Sequence, residues 1–195
     1  MFGMMASIHI ETYRQIIASR PPQDVREIDC GLDAIFFASS NTTSFASDEA
    51  RALFRERWLG RYLTYDPQWT YVAMTSGGDV AGYLAGCLED PARTPRFADI
   101  GYFGAFAGLT ARYPAHLHIN LAQGFRSGGI GSALIARFGA EARHAGAPGV
   151  HVVTSRGARN VRFYERNGFH EAGAMGAGLQ EVVFLAKNLI TGAQP

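Results

Sequence analysis

The residues Ala115–Phe138, AHLHINLAQGFRSGGIGSALIARF, decide how this chain is to be read. The opening alternates apolar and polar positions as a half-buried strand does, and the closing part repeats its apolar positions at helical spacing. A glycine-rich turn joins them, so the stretch predicts strand, anion-binding loop, helix. Arg126, Gly129 and Gly131 carry the chemistry of the turn. Glycine lets the backbone approach a bound group closely and accepts positive φ. The unpaired N–H groups opening the helix offer donors and positive dipole to an anion, and Arg126 adds a forked cation. The combination suits a phosphate or pyrophosphate.

Three phosphate loops compete. A Walker loop requires lysine and then Ser or Thr after its last glycine, whereas Gly129 is followed by Ile130 and Gly131. A dinucleotide fingerprint requires a small residue three places after its second glycine, where Leu134 stands. The third fits: Arg126-Ser127-Gly128-Gly129-Ile130-Gly131 after an alternating strand resembles the coenzyme A pyrophosphate loop of the GCN5-related N-acetyltransferase (GNAT) superfamily. A tight strand-to-helix turn without a ligand is the plain alternative. A second stretch, RNVRFYERNGF at Arg159–Phe169, is similar to the superfamily's C-terminal signature. The two stand in the family's order, with a strand-like run at Gly149–Ser155 between them.

The remaining sequence bounds the setting. With 195 residues, a formal charge of +1 and 47% hydrophobic content, residues 1–195 are expected to form a single domain with a substantial core. There is no basic stripe or charge run, so nucleic acid is not an expected partner. Apolar runs such as Ala34–Ala38 are too short to span a bilayer, and MFGMMAS at the start lacks the charged onset and apolar centre of a signal peptide. Cys30 and Cys87 have neither metal-ligand nor redox spacing. A cytoplasmic location without a membrane partner is therefore expected, with Cys87 read as a buried small hydrophobe.

Taken in order, Ile8–Ile17 and Leu32–Ala38 are each strand or helix, separated by Pro21-Pro22, and Asn41–Ser44 is a polar break. Ser47 caps a helix with Asp48 and Glu49 in its first turn. Its positions Leu53, Phe54, Trp58 and Tyr62 predict an amphipathic face, ended by Asp66-Pro67. Trp69–Met74 and Val80–Leu88 read as a hairpin around Ser76–Asp79, in which Gly82 and Gly86 leave room for another backbone or a ligand. Pro91–Pro114 is an aromatic insertion: a short helix on the core, a wall of the acceptor pocket, or a contact between two copies in a homodimer. After the loop, Ile130, Leu134, Ile135, Phe138 and Ala142 share one helix face. A helix over Ala158–Asn167 stops at Gly168, with Phe169 packing back, and Gln180–Ala186 closes the sheet. The order predicts an α/β (α+β) architecture. The resemblance implies a mixed, mostly antiparallel twisted sheet flanked by helices, with a V-shaped splay between its two central parallel strands.

The resemblance covers Trp69–Ala186, and the run Tyr113–Leu121 looks particularly like the acetyltransferase-like domain appended to O-GlcNAcases and its free-standing bacterial relatives. It implies that residues 69–195 bind acetyl-CoA, without a metal, while residues 1–68 border the acceptor site. By resemblance, backbone groups of Leu121 and Gln123 pair with pantetheine, and the Leu121 N–H faces the thioester oxygen. The loop Arg126, Ser127, Gly128, Gly129, Ile130, Gly131 and Ser132 holds the pyrophosphate. Gln123 stands where many members have proline. Tyr164 occupies the position of the family's thiolate-protonating tyrosine. Seven residues earlier the family usually has an asparagine that bonds pantetheine. Here that position is Gly157, and Asn160, one helical turn before Tyr164, is the substitute.

An attacking amine also requires a base. His116 and His118 are candidates, with Glu89 and Asp90 at the hairpin's end. The His-Leu-His triplet looks like the histidine pair of arylalkylamine acetyltransferases, although aligning on Arg126 leaves it one residue out of step, which on a strand swaps faces unless a bulge absorbs it. Either histidine is alternatively a satisfied core residue. Arg156, Arg159 and Arg162 read as solvated helix charges, one or two of which reach the coenzyme's ribose phosphate. The expected activity is acetyl transfer from acetyl-CoA to a primary amine by direct attack, the acceptor being a small amine or a protein lysine or N-terminus. The alternatives are a catalytically inactive acetyl-CoA-binding or interaction module of the same fold and, less compatible with the loop, a nucleotide-binding protein.

Overall fold

A computed structural model of the chain describes residues 7–190. The stretch MFGMMAS, which bears on the signal-peptide reading, lies outside them except for Ser7. The strands are β1 (Ile8–Thr12), β2 (Thr70–Thr75), β3 (Val80–Cys87), β4 (Ala115–Leu121), β5 (Gly149–Ser155), β6 (His170–Met175) and β7 (Val182–Asn188). The helices are α1 (Tyr13–Ser19), α2 (Pro22–Ser39), α3 (Asp48–Arg55), α4 (Arg61–Tyr65), α5 (Gly101–Ala105), α6 (Ala107–Thr110), α7 (Ile130–His144) and α8 (Val161–Arg166). The strands hydrogen-bond in the order β1-β2-β3-β4-β5-β7-β6. β4 and β5 are parallel, and the other registers resolved are antiparallel. The β4–β5 register holds only Ala115↔Val150 and His116↔His151, although β4 runs on to Leu121. This is the mixed, mostly antiparallel sheet with helices that the resemblance implies.

The chain forms two compact units: residues up to Gly86 with His118–Ile135, and Cys87–Leu117 with Ala136 onward. In the first, Ile8–Ile17 turns out to be strand and helix in succession. Thr12 is the hinge, where a capping box with Gln15 gives a first helical N–H its acceptor (Gln15 N to Thr12 Oγ1, 3.2 Å). Pro22 opens α2 at the position where a missing N–H costs nothing, and α2 buries Ile28, Leu32, Ile35 and Phe36. Ser47 caps α3, accepting from Ala50 N at 3.1 Å.

The predicted apolar face does not continue unbroken from Leu53 to Tyr62. A π-helical turn at Glu56–Gly60 separates α3 from α4. The wider turn rotates the face of α4 relative to that of α3: Leu53 is 64% exposed, whereas Leu59, Tyr62 and Leu63 are buried. The α3 segment itself buries no residue.

In the second unit the insertion forms α5 and α6, and Phe106 and Tyr113 pack on Phe184 and Ala186 of β7. Of the anticipated α7 face, Ile130, Leu134 and Ile135 are buried in the first unit, and Phe138 and Ala142 in the second. Gly168 takes φ +85 and closes α8, with Phe169 N donating to Tyr164 O at 3.1 Å. The sheet does not close on β7, because β6 pairs outside it with a register shift at Glu171/Gly173. Cys87 is buried, its Sγ 3.0 Å from Arg96 Nη2, and Cys30 is exposed. Among the described residues no helix is long and apolar enough to cross a membrane.

Candidate active site

In the first unit, β4 ends beside the glycine loop. The Ala122 N–H bonds Ala81 O of β3 at 3.0 Å. Successive N–H groups on a strand point to opposite edges, so the N–H and C=O of Leu121 point away from β3. The Leu121 carbonyl accepts Arg126 Nε at 3.2 Å. This bond folds the guanidinium back along the free edge of β4 and leaves its terminal nitrogens unspent on that contact. Gln123–Phe125 turns through a 3-10 helix, with Phe125 N on Ala122 O at 2.9 Å and Arg126 N on Gln123 O at 3.4 Å.

The loop then reverses direction in two left-handed steps, Ser127 at φ 66 and Gly129 at φ 82. The first backbone bond of α7 is Ala133 N to Gly129 O, 3.0 Å. The N–H groups of Gly129, Ile130, Gly131 and Ser132 therefore have no intrahelical acceptor. Left-handed residues turning into a helix N-terminus make a concave set of donors for an anion. Gly129 is needed for its φ and not for space, because a Cβ there meets no atom within 4 Å.

His118 lies in this unit, against α4 and the π turn. Its ring meets Trp58 at 5.3 Å and Tyr62 at 5.4 Å, both edge-on. Its Nε2 is buried with no partner among the described residues. Burial, and then the charge of Arg61, lower its pKa to about 4, so the ring is neutral at pH 7. On the same face of β4, Asn120 Nδ2 donates to the hydroxyl of fully buried Tyr83 at 2.8 Å.

The second unit holds the other candidates. His116 is enclosed by Phe97 (4.8 Å), Phe103 (5.4 Å) and His151 (5.6 Å), with Nδ1 3.4 Å from Pro114 O. Glu89 pairs with Arg96 at 3.1 Å, and Asp90 Oδ1 accepts Ala92 N at 3.0 Å, so both carboxylates serve the start of the insertion. Tyr164 is buried between Phe163 (5.3 Å) and Phe169 (5.5 Å), and burial pushes its phenol well above the usual tyrosine range. Asn160 is exposed and accepts Thr154 Oγ1 at 3.1 Å through Oδ1. Gly157 adopts φ +75 with no atom within 4 Å of a Cβ position, so a left-handed turn accounts for glycine there. Arg156 is no spare cation: it holds Glu171 and Glu181, each at 2.8 Å. The left-handed Ser127, the π turn and the Tyr83–Asn120 bond had no signal in the sequence. Among the described residues no group of three or more His, Cys, Asp and Glu could hold a metal.

Comparison with solved structures finds others that share this fold. A structure described as SsHAT superposes with a TM-score of 0.67 at 21% identity, covering 94% of this chain and 99% of that one. An N-acetyltransferase from Staphylococcus aureus Mu50 gives 0.58 at 17% identity, covering 95% and 100%. A putative phosphinothricin N-acetyltransferase gives 0.57 at 16%, covering 94% and 99%. The family model of the acetyltransferase (GNAT) domain matches residues 67–171. That match spans more than half of the chain and contains both the glycine loop and the Phe163-Tyr164 motif, so the chain belongs to the GNAT acetyltransferases and takes acetyl-CoA as its co-substrate.

Proposed function

We propose that the protein moves the acetyl group of acetyl-CoA to a primary amine by direct attack, with residues 69–195 holding the coenzyme and residues 1–68 bordering the acceptor. The observation that carries this reading is the Leu121 N–H on the edge of β4 away from β3, followed by the donors of Gly129–Ser132. The loop takes the pyrophosphate, Arg126 adds charge beside it, and Leu121 donates to the thioester oxygen as that oxygen gains negative charge. Residues Gln123, Ser127, Gly128 and Ile130 complete this path. Asn160 keeps a free amide NH₂ for the pantetheine bond, because Thr154 occupies only its oxygen.

His118 is the base of this reading in preference to His116, because it lies in the same unit as the Leu121 edge and the glycine loop and its ring is neutral, whereas His116 lies among the rings of the other unit. With a pKa of about 4 it does not deprotonate an alkylammonium, whose pKa is about 10. The amine therefore arrives neutral. His118 takes its proton after nitrogen has bonded to the carbonyl carbon, when that proton is far more acidic. The C–S bond then breaks, and Tyr164, protonated at all physiological pH values, supplies the proton to sulfur. Calorimetric titration with acetyl-CoA, joined to thiol release against a panel of small amines and lysine or N-terminal peptides, tests the reading. Saturable binding with amine-dependent thiol release supports it, and binding without release to any acceptor class refutes transfer.

A further inference from the structure

Gly82 lies on β3 directly beside the reactive end of β4. A Cβ built on it falls on Leu121 Cδ2, 2.8 Å from the Asn120 carbonyl oxygen and 3.1 Å from Leu121 Cα. The side-chain overlap is cheap to relieve. The overlap with Asn120 O is not, because relieving it moves the backbone of β4. The β2–β3 register is irregular at this same place. Ala73 pairs with Gly82 and Met74 with Val80, so Ala81 is an extra residue, a β-bulge. The carbonyl of this extra residue, Ala81, accepts Ala122 N–H at 3.0 Å. Asn120, on the other side of Leu121, is tied to buried Tyr83 at 2.8 Å. Leu121 is thus held from both flanks while its own N–H points away from β3.

We propose that Gly82, with the bulge at Ala81, is a positioning residue that places the Leu121 N–H for the thioester oxygen, and that it governs the rate of acetyl transfer without contributing to coenzyme affinity. The inference rests on the role proposed for Leu121 at the thioester. A side chain at position 82 displaces Asn120–Leu121 but leaves the loop at Arg126–Ser132, where the coenzyme's charge is held, in place. A displacement of about 1 Å at a reacting centre costs about a hundred-fold in rate.

Three readouts on Gly82→Ala test it: kcat for acetyl transfer, the Kd of acetyl-CoA, and the ¹³C shift of the carbonyl in bound [1-¹³C]acetyl-CoA. The expected result is a kcat about a hundred-fold lower, a Kd within about twofold of wild type, and loss of the downfield shift that a hydrogen bond to the carbonyl produces. The Leu121 amide resonance of the ligand-free protein should also move. If the variant does not fold, Gly82→Ala combined with Leu121→Ala removes the overlapping side chain and is read in the same way. An unchanged kcat and carbonyl shift overturn the inference, as does a Kd that rises in step with the loss of kcat. Failure of the wild-type protein to bind acetyl-CoA or to transfer acetyl overturns the proposed function, whereas an unmoved Leu121 amide resonance overturns only the role of Gly82.

Discussion

Gly129→Ala separates the shape of the phosphate loop from its contents. Gly129 has φ +82, and a Cβ added to it meets nothing within 4 Å, so the whole cost of the substitution lies in the backbone. Holding an L-residue in that region costs about 1–2 kcal/mol. An exposed loop escapes the strain by leaving the left-handed basin, which turns the N–H groups of Gly129 and Ile130 away from the anion. The strain is then met again on binding, and about 1.4 kcal/mol corresponds to a tenfold rise in Kd. Calorimetry with acetyl-CoA should accordingly show Kd rising about tenfold, with little change in melting temperature. Gly128→Ala is the internal control, because Gly128 has no positive φ and its Cβ would lie 3.9 Å from Phe125 O, an ordinary contact. The reasoning is refuted if Gly129→Ala binds as wild type does, or if the two variants lose affinity equally.

Ser127→Gly should raise the melting temperature, because relief of the left-handed strain at φ 66 (about 1–2 kcal/mol) outweighs glycine's entropic cost (about 0.5–1 kcal/mol); Ser127→Ala, which keeps the strain, should not. Tyr164→Phe should lower kcat at least about tenfold and leave the Kd of acetyl-CoA unchanged; equal losses in both would give the hydroxyl a holding role only. The His118 ring titrates at about 4 in the fold against 6.5 in the unfolded chain, so the unfolded state binds the proton first. Its contribution to stability is complete above pH 6.5 and is lost as pH falls toward 4, a difference of about 3 kcal/mol. Denaturant titrations from pH 7 to 4 should show a shallower decline for His118→Gln than for wild type, and parallel declines would contradict the burial argument.

Much of the fold was legible because its signals are local. The alternation in His116–Leu121, the glycines after it and the stop at Gly168 each act within a few residues, and β5 has the bounds its sequence predicts. The π turn was illegible because a period of 3.6 residues assumes an unbroken helix, and the extra residue at Glu56–Gly60 depends on tertiary packing. The two histidines looked equivalent in sequence. Their environments differ because His116 meets the rings of the Pro91–Pro114 insertion, whereas His118 meets the π-turn helix, and neither neighbour is near in sequence. Gly157 read as a defect in the coenzyme motif, but its φ of +75 gives it a backbone reason. Gly82 was legible as room for a backbone, while the identity of that backbone required the structure.

The strand that the sequence hid, β6, reads HEAGAM, with neither the β-branched nor the aromatic residues that mark strands. It is also a terminal strand of the sheet order. An outer strand with regular, apolar, unpaired backbone is a template on which another chain can add, and proteins blunt such edges with charge, irregularity and brevity. β6 has the first two: Glu171 is tied to Arg156, and the register breaks between Glu171 and Gly173. At the opposite end of the order, β1 places Glu11 beside His9 and Arg20. The charge and the broken register of β6 thus blunt an open edge of the sheet, and Glu171→Val removes one of these two devices.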